Sequence, residues 1–169
     1  MDQTALRAVQ APLKERYREE PATALVTLHA EGSLTDGLTC SVQTGRALVA
    51  AGLHPATGGD GLSVCSGDML LQALVACAGV TLQAVATSLG IEVRDGTVSA
   101  EGDLDFRGTL AVDRDAPVGF GAVRLSFDVD SDADDDQLAT LLRLTERYCV
   151  VLQTLRAAPE IGATLTRAG

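Results

Sequence analysis

Four cysteines stand at positions 40, 65, 77 and 149 of the 169-residue chain. Thiols are the side chains here best suited to covalent chemistry. Cys77 lies in the apolar run SGDMLLQALVACAGVTLQAVATSL, and Cys149 lies in LTERYCVVLQTL. A thiol attacks as its thiolate, and two thiols that meet can cycle between dithiol and disulfide. A bridge needs Cα atoms within about 7 Å, which spacing in sequence cannot supply. Taken singly, a helical cysteine is more often a small buried hydrophobe than a nucleophile. No two of the four show CxxC spacing, so neither a structural zinc site nor any other metal is expected. Cys65 sits in a Gly-rich stretch just before the first of these runs, where it could be exposed. A Cys65–Cys77 pair is the alternative to Cys77–Cys149. Cys40 has no assigned role.

The run 67–89 has no proline and is apolar on nearly every side. That predicts a core helix, capped at its start by Ser66 or Asp68 and stopped by Gly90. Gln72, Thr81, Gln83 and Thr87 interrupt it, which argues against a membrane span. A second long helix is predicted over 136–157. Leu138, Leu141, Leu142, Thr145, Cys149 and Leu152 fall on one stripe of it at helical spacing.

Strand patterns fill the rest. ATALVTLHAEG and LTCSVQTG flank the turn signal Asp36-Gly37, which predicts a hairpin. RALVAAG is a short third strand, and LHPATGGDGLSVCSG reads as a loop. Within it, His54 beside proline reads as a structural or exposed residue. IEVRDGTVSAEGDLDFRGTLAV and GFGAVRLSFDVD follow the first helix. In the latter, Val123, Leu125, Phe127 and Val129 alternate to form one buried face. A last strand is predicted over 161–166. Residues 2–19 carry Leu6, Val9, Leu13 and Tyr17 on one helical face, with Pro12 either starting or bending the helix. Residues 1–21 are therefore a helical arm and 22–169 the main domain. The order of elements is that of an α+β fold.

The net charge is −10, which argues against nucleic acid and anionic membrane surfaces as partners. Six aspartates fall within 128–136. They read as a solvated loop and helix start, since the Gly and distant Glu of a calcium loop are missing. With no apolar segment near the N-terminus, a cytoplasmic location is expected, where a disulfide would be redox-active rather than structural.

SGDMLLQALVACAGVTLQAVA resembles the first cysteine helix of the OsmC/Ohr family of thiol-dependent hydroperoxide reductases, and TERYCVVLQTL resembles its second cysteine segment. GDLDFRG and APVGF are similar to the intervening strands, and the likeness spans 45–165. The resemblance implies two long central helices wrapped by antiparallel sheets in an intertwined homodimer. It implies a peroxidatic Cys77 and a resolving Cys149, an organic hydroperoxide as substrate, and an external dithiol or lipoylated protein as reductant. No cofactor is implied. In the family an Arg and a Glu activate the thiolate. The family's Glu position is Gly67 here, with Asp68 the nearest acid, and the N-terminal hairpin has no Arg. Arg46 and Arg107 are the candidates left. A mid-helix Cys77 cannot use its own helix N-terminus, so a cation is expected beside it.

Overall fold

Helix α2 (Ser66–Leu89) organises the molecule. In the computed structural model, which describes residues 3–35, 39–42, 51–61 and 64–167, α2 starts one residue earlier than the capping pattern predicts. Cys65 is the N-cap, in extended conformation and without a side-chain cap bond, so neither Ser66 nor Asp68 caps the helix. Asp68 stands in the first turn instead, where the helix dipole favours a carboxylate. The stop is as expected: Gly90 takes φ 69° and donates its N–H to the Ala86 and Thr87 carbonyls.

One face of α2 is packed and one is open. Leu71, Leu74, Val75, Ala78, Leu82 and Ala86 are buried. They pack across an antiparallel sheet of order β2-β1-β5-β6. Its strands are β1 (Leu25–Thr35), β2 (Thr39–Val42), β5 (Asp95–Asp105) and β6 (Phe120–Asp130). The predicted hairpin is there, with Thr35 opposite Thr39, and its turn lies outside the described residues. From the sheet, Val98 and Ala100 are fully buried, and Leu125, Phe127 and Val129 pack on the same core. Val123 stays more exposed, because β6 is an edge strand. Met69, Ala73, Val80 and Ala84, one stripe on the far side of α2, are exposed.

A short parallel pair, β3 (Ala51–Gly52) with β4 (Val64–Cys65), precedes α2. The expected strand over RALVAAG is described only at its last two residues. Helix α1 (Gln3–Glu19) continues through Pro12 rather than starting there. It docks through Tyr17, which is fully buried with Ala24, Phe106 and Leu110 and donates its hydroxyl to the Ala56 carbonyl at 2.6 Å. Phe106 belongs to the single helical turn α3 (Phe106–Thr109).

The predicted 136–157 helix is two helices. α4 (Asp135–Tyr148) ends and α5 (Val150–Arg156) begins at Cys149, whose ψ of 106° takes the chain out of the helix for one residue. Leu141, Thr145 and Cys149 are buried as the stripe predicts, whereas Leu142 is exposed. Asp134 caps α4 in a reciprocal capping box with Gln137. The aspartate run is thus a loop and helix start, as read. The strand expected over 161–166 does not form. Residues 157–167 find no sheet partner among the described residues, and Ile161 and Leu165 stand in solvent.

Candidate active site

Cys77 projects from the middle of α2 toward the joint between α4 and α5. Cys149 is that joint. Its own N–H still bonds the Thr145 carbonyl at 2.9 Å, closing α4, and its carbonyl accepts from Gln153 N–H at 2.9 Å, opening α5. Between these bonds, the N–H groups of Val150, Val151 and Leu152 have no helical acceptor. The two sulfurs lie against them: the Val151 and Val150 N–H groups face Cys77, and those of Leu152 and Val151 face Cys149. Two side-chain contacts brace the break from outside. Gln153 Nε2 donates to the Glu146 carbonyl at 2.7 Å, and Arg156 Nη2 pairs with Glu146 Oε1 at 2.7 Å.

The two thiols are neighbours close enough to shift each other's acidity, and both are free, Cys77 half-buried and Cys149 buried. Their acidities move apart. Burial pushes Cys77 up, but the Val151 N–H, the Cys149 thiol, the Thr81 hydroxyl and the Val150 N–H together bring it below the ordinary thiol value. Cys149 is pushed up to about 11, by burial first and by Cys77 as neighbour, against the N–H groups of Leu152 and Val151. Cys77 is therefore the more acidic of the two thiols, and Cys149 holds its proton more tightly.

Among the described residues no cation sets the acidity of Cys77; the Val151 and Val150 N–H groups of a different helix lower it together with the Cys149 thiol and the Thr81 hydroxyl. Arg107 is held by Asp105, with 3.0 Å from Nε to Oδ2, and by Asp113 at 3.3 Å. Asp105 is held below the usual carboxylate range by that guanidinium. Asp68 lies nine residues before Cys77, roughly 13 Å along the helix axis. Arg46 is outside the described residues. Cys65 caps α2 twelve residues before Cys77, roughly 18 Å away along the axis, so the alternative Cys65–Cys77 bridge has no geometry. His54 is structural: its Nδ1 accepts from the Ala56 N–H at 3.0 Å and its ring stacks on Phe106 at 5.0 Å. No cluster of three His, Cys, Asp or Glu side chains able to hold a metal ion occurs among the described residues.

The sequence did not reveal the donors at 150–152. No proline or glycine marks the break, and the apolar stripe continues through Cys149 to Leu152 without a change of period.

An antiparallel sheet packed on a cysteine-bearing helix, with a second cysteine at a helix joint, defines a two-cysteine α+β domain. Residues 58–164 match the family model for OsmC-like protein, and the chain belongs to that family. Among solved structures, it is similar to an OsmC-like hydroperoxide resistance protein from Jannaschia sp. CCS1. That match has 17% identity and a TM-score of 0.59, and covers 85% of this chain and 95% of the other. It is also similar to an OsmC-like protein from Mycoplasma pneumoniae, at 13% identity and a TM-score of 0.56, covering 79% of this chain and 86% of the other. At these identities the likeness establishes the fold. No curated protein matches the chain.

Proposed function

We propose that the protein reduces organic hydroperoxides through a Cys77–Cys149 dithiol/disulfide cycle. The observation that carries this reading is the pairing of two neighbouring thiols of unequal acidity, with N–H groups converging on Cys77. The description of the Jannaschia neighbour as a hydroperoxide resistance protein supports it. The Cys77 thiolate attacks the terminal oxygen of the hydroperoxide, the O–O bond breaks, and the departing alkoxide takes a proton to become the alcohol. Cys77 is left as a sulfenic acid. Cys149 then condenses with it, releasing water and forming the disulfide. An external dithiol or a lipoylated protein returns both thiols by exchange. A homodimer accounts for the open apolar stripe of Met69, Ala73, Val80 and Ala84, on which Cys77 borders.

The test is thiol counting after exposure to cumene hydroperoxide. Wild type is expected to lose two thiols, Cys77→Ser none of them, and Cys149→Ser to stop at a Cys77 sulfenic acid. Survival of every wild-type thiol would sink the reading.

A second reading has one observation in its favour. A groove of about 610 Å³ runs between β6 and the α4–α5 joint, lined by Phe120, Leu125, Phe127, Leu142 and Leu152 among others. A chain that bound a small apolar ligand there, with inert thiols, would show ligand-dependent melting and no peroxide-dependent thiol loss.

A further inference from the structure

We infer that the Thr145 hydroxyl carries the proton that leaves Cys149 as the disulfide closes. This rests on the dithiol cycle proposed above and assigns it a further catalytic residue.

The starting point is an anomaly. Thr145 is 1% exposed, and its Oγ1 is buried without a hydrogen-bond partner among the described residues. A buried hydroxyl left unpaired opposes folding, and a valine of nearly the same shape would avoid the penalty. The contrast with Thr81 is direct, since that hydroxyl is engaged with Cys77. On this inference the hydroxyl, idle in the dithiol state, finds its partner in another state of the site.

Its position says which state. Thr145 is one turn before Cys149. The last bond of α4, from Cys149 N–H to the Thr145 carbonyl, is intact at 2.9 Å, and Cys149 keeps a helical φ of −69°. Only ψ departs, so the Cys149 side chain still continues the α4 face that Thr145 occupies. Such i, i+4 neighbours have Cβ atoms roughly 5–6 Å apart. Both are buried on the side of α4 that packs on α2, and Cys149 neighbours Cys77 there.

In the closing step, the Cys149 sulfur attacks the Cys77 sulfur of the sulfenic acid. The S–S bond forms, the Cys77 S–O bond breaks, and oxygen leaves as hydroxide that must gain a proton. Cys149 must lose one. It is protonated at neutral pH, in a cleft where Thr81, the other hydroxyl, is already engaged with Cys77. A threonine hydroxyl has one donor and two acceptor lone pairs. It can accept the Cys149 proton while giving its own to the departing oxygen, and it ends the step as it began. The sum is sulfenic acid plus thiol giving disulfide plus water.

The test uses full-length Thr145→Val and Thr145→Ser in single turnover from the reduced state with cumene hydroperoxide. Sulfenic acid at Cys77 is trapped with dimedone, and disulfide is followed by mass spectrometry. In Thr145→Val, sulfenic acid should form at the wild-type rate and close roughly 100-fold more slowly. The reduced variant should melt at or above the wild-type temperature. Thr145→Ser should restore closure. Wild-type closure in Thr145→Val overturns the inference, and so does equal slowing of both steps with a lower melting temperature, which marks a packing role. If Cys77 oxidises in wild type but Thr145→Val closes normally, only this inference falls. If no wild-type thiol reacts, the dithiol cycle falls and takes the inference with it.

Discussion

The arginines of the sheet and the cysteines of the helix layer handle charge in different ways. On the sheet side, Arg124 bridges Glu101 and Asp103 on the neighbouring strand, and Arg94 bridges Asp130 and Asp132. Arg107 is held by Asp105 and Asp113 at the end of β5. In a chain with a net charge of −10, each of these cations is already committed to carboxylates. On the helix side no cation among the described residues contributes to the acidity of Cys77; it is lowered by N–H groups freed by a one-residue break together with the Cys149 thiol and the Thr81 hydroxyl. Among the described residues, the groups that favour a Cys77 thiolate are dipoles, two of them placed by the start of a second helix.

The comparison breaks most visibly if Cys149 is replaced. Cys149→Ala removes the disulfide partner altogether. It also removes the thiol that donates to Cys77, so the pH midpoint for iodoacetamide labelling of Cys77 should rise by roughly one unit. In wild type the sign is fixed by the two acidities. Cys77, below the ordinary value, should be labelled with a midpoint under pH 9, and Cys149 should resist until near pH 11. A single shared midpoint near 9 would contradict this.

Next in size is Arg107→Ala. It strands the nearly buried Asp105 carboxylate, so the melting temperature should fall by several degrees while the labelling rate of Cys77 stays unchanged. A large loss of Cys77 reactivity would return Arg107 to the role the sequence offered it. Val150→Pro comes third. Proline is tolerated at the first position of a helix and removes one N–H donor to Cys77, the smallest of its helpers. A rise of a fraction of a unit in the Cys77 midpoint is expected, with little change in melting. Arg124→Gln should do least, because its partners are half exposed and solvated. Melting within about a degree of wild type and unaltered thiol kinetics are the expected result.

Much of this was legible in the residues. The all-round apolar run 67–89 could only be a helix, and Gly90 had to end it. Asp36-Gly37 placed the hairpin, and the spacing of Leu141, Thr145 and Cys149 placed the second thiol on a buried stripe. What could not be read was set by contacts distant in sequence. The break at Cys149 leaves no local mark, because VVLQTL would extend a helix as readily as restart one. Arg107 looked available because its partner Asp105, two residues earlier, becomes its clamp only when β5 ends and α3 turns back. The strand expected at 161–166 has the right composition but pairs with no strand among the described residues.

The break at Cys149 also makes the thiol pair visible to a backbone probe. Amides at 150–152 lie at a helix start and face the two sulfurs rather than helical carbonyl oxygens. Their exchange with deuterated solvent is therefore tied to the charge and bonding of the two sulfurs. Three successive amide signals become a spectroscopic record of the redox state of the site, with no label on either cysteine.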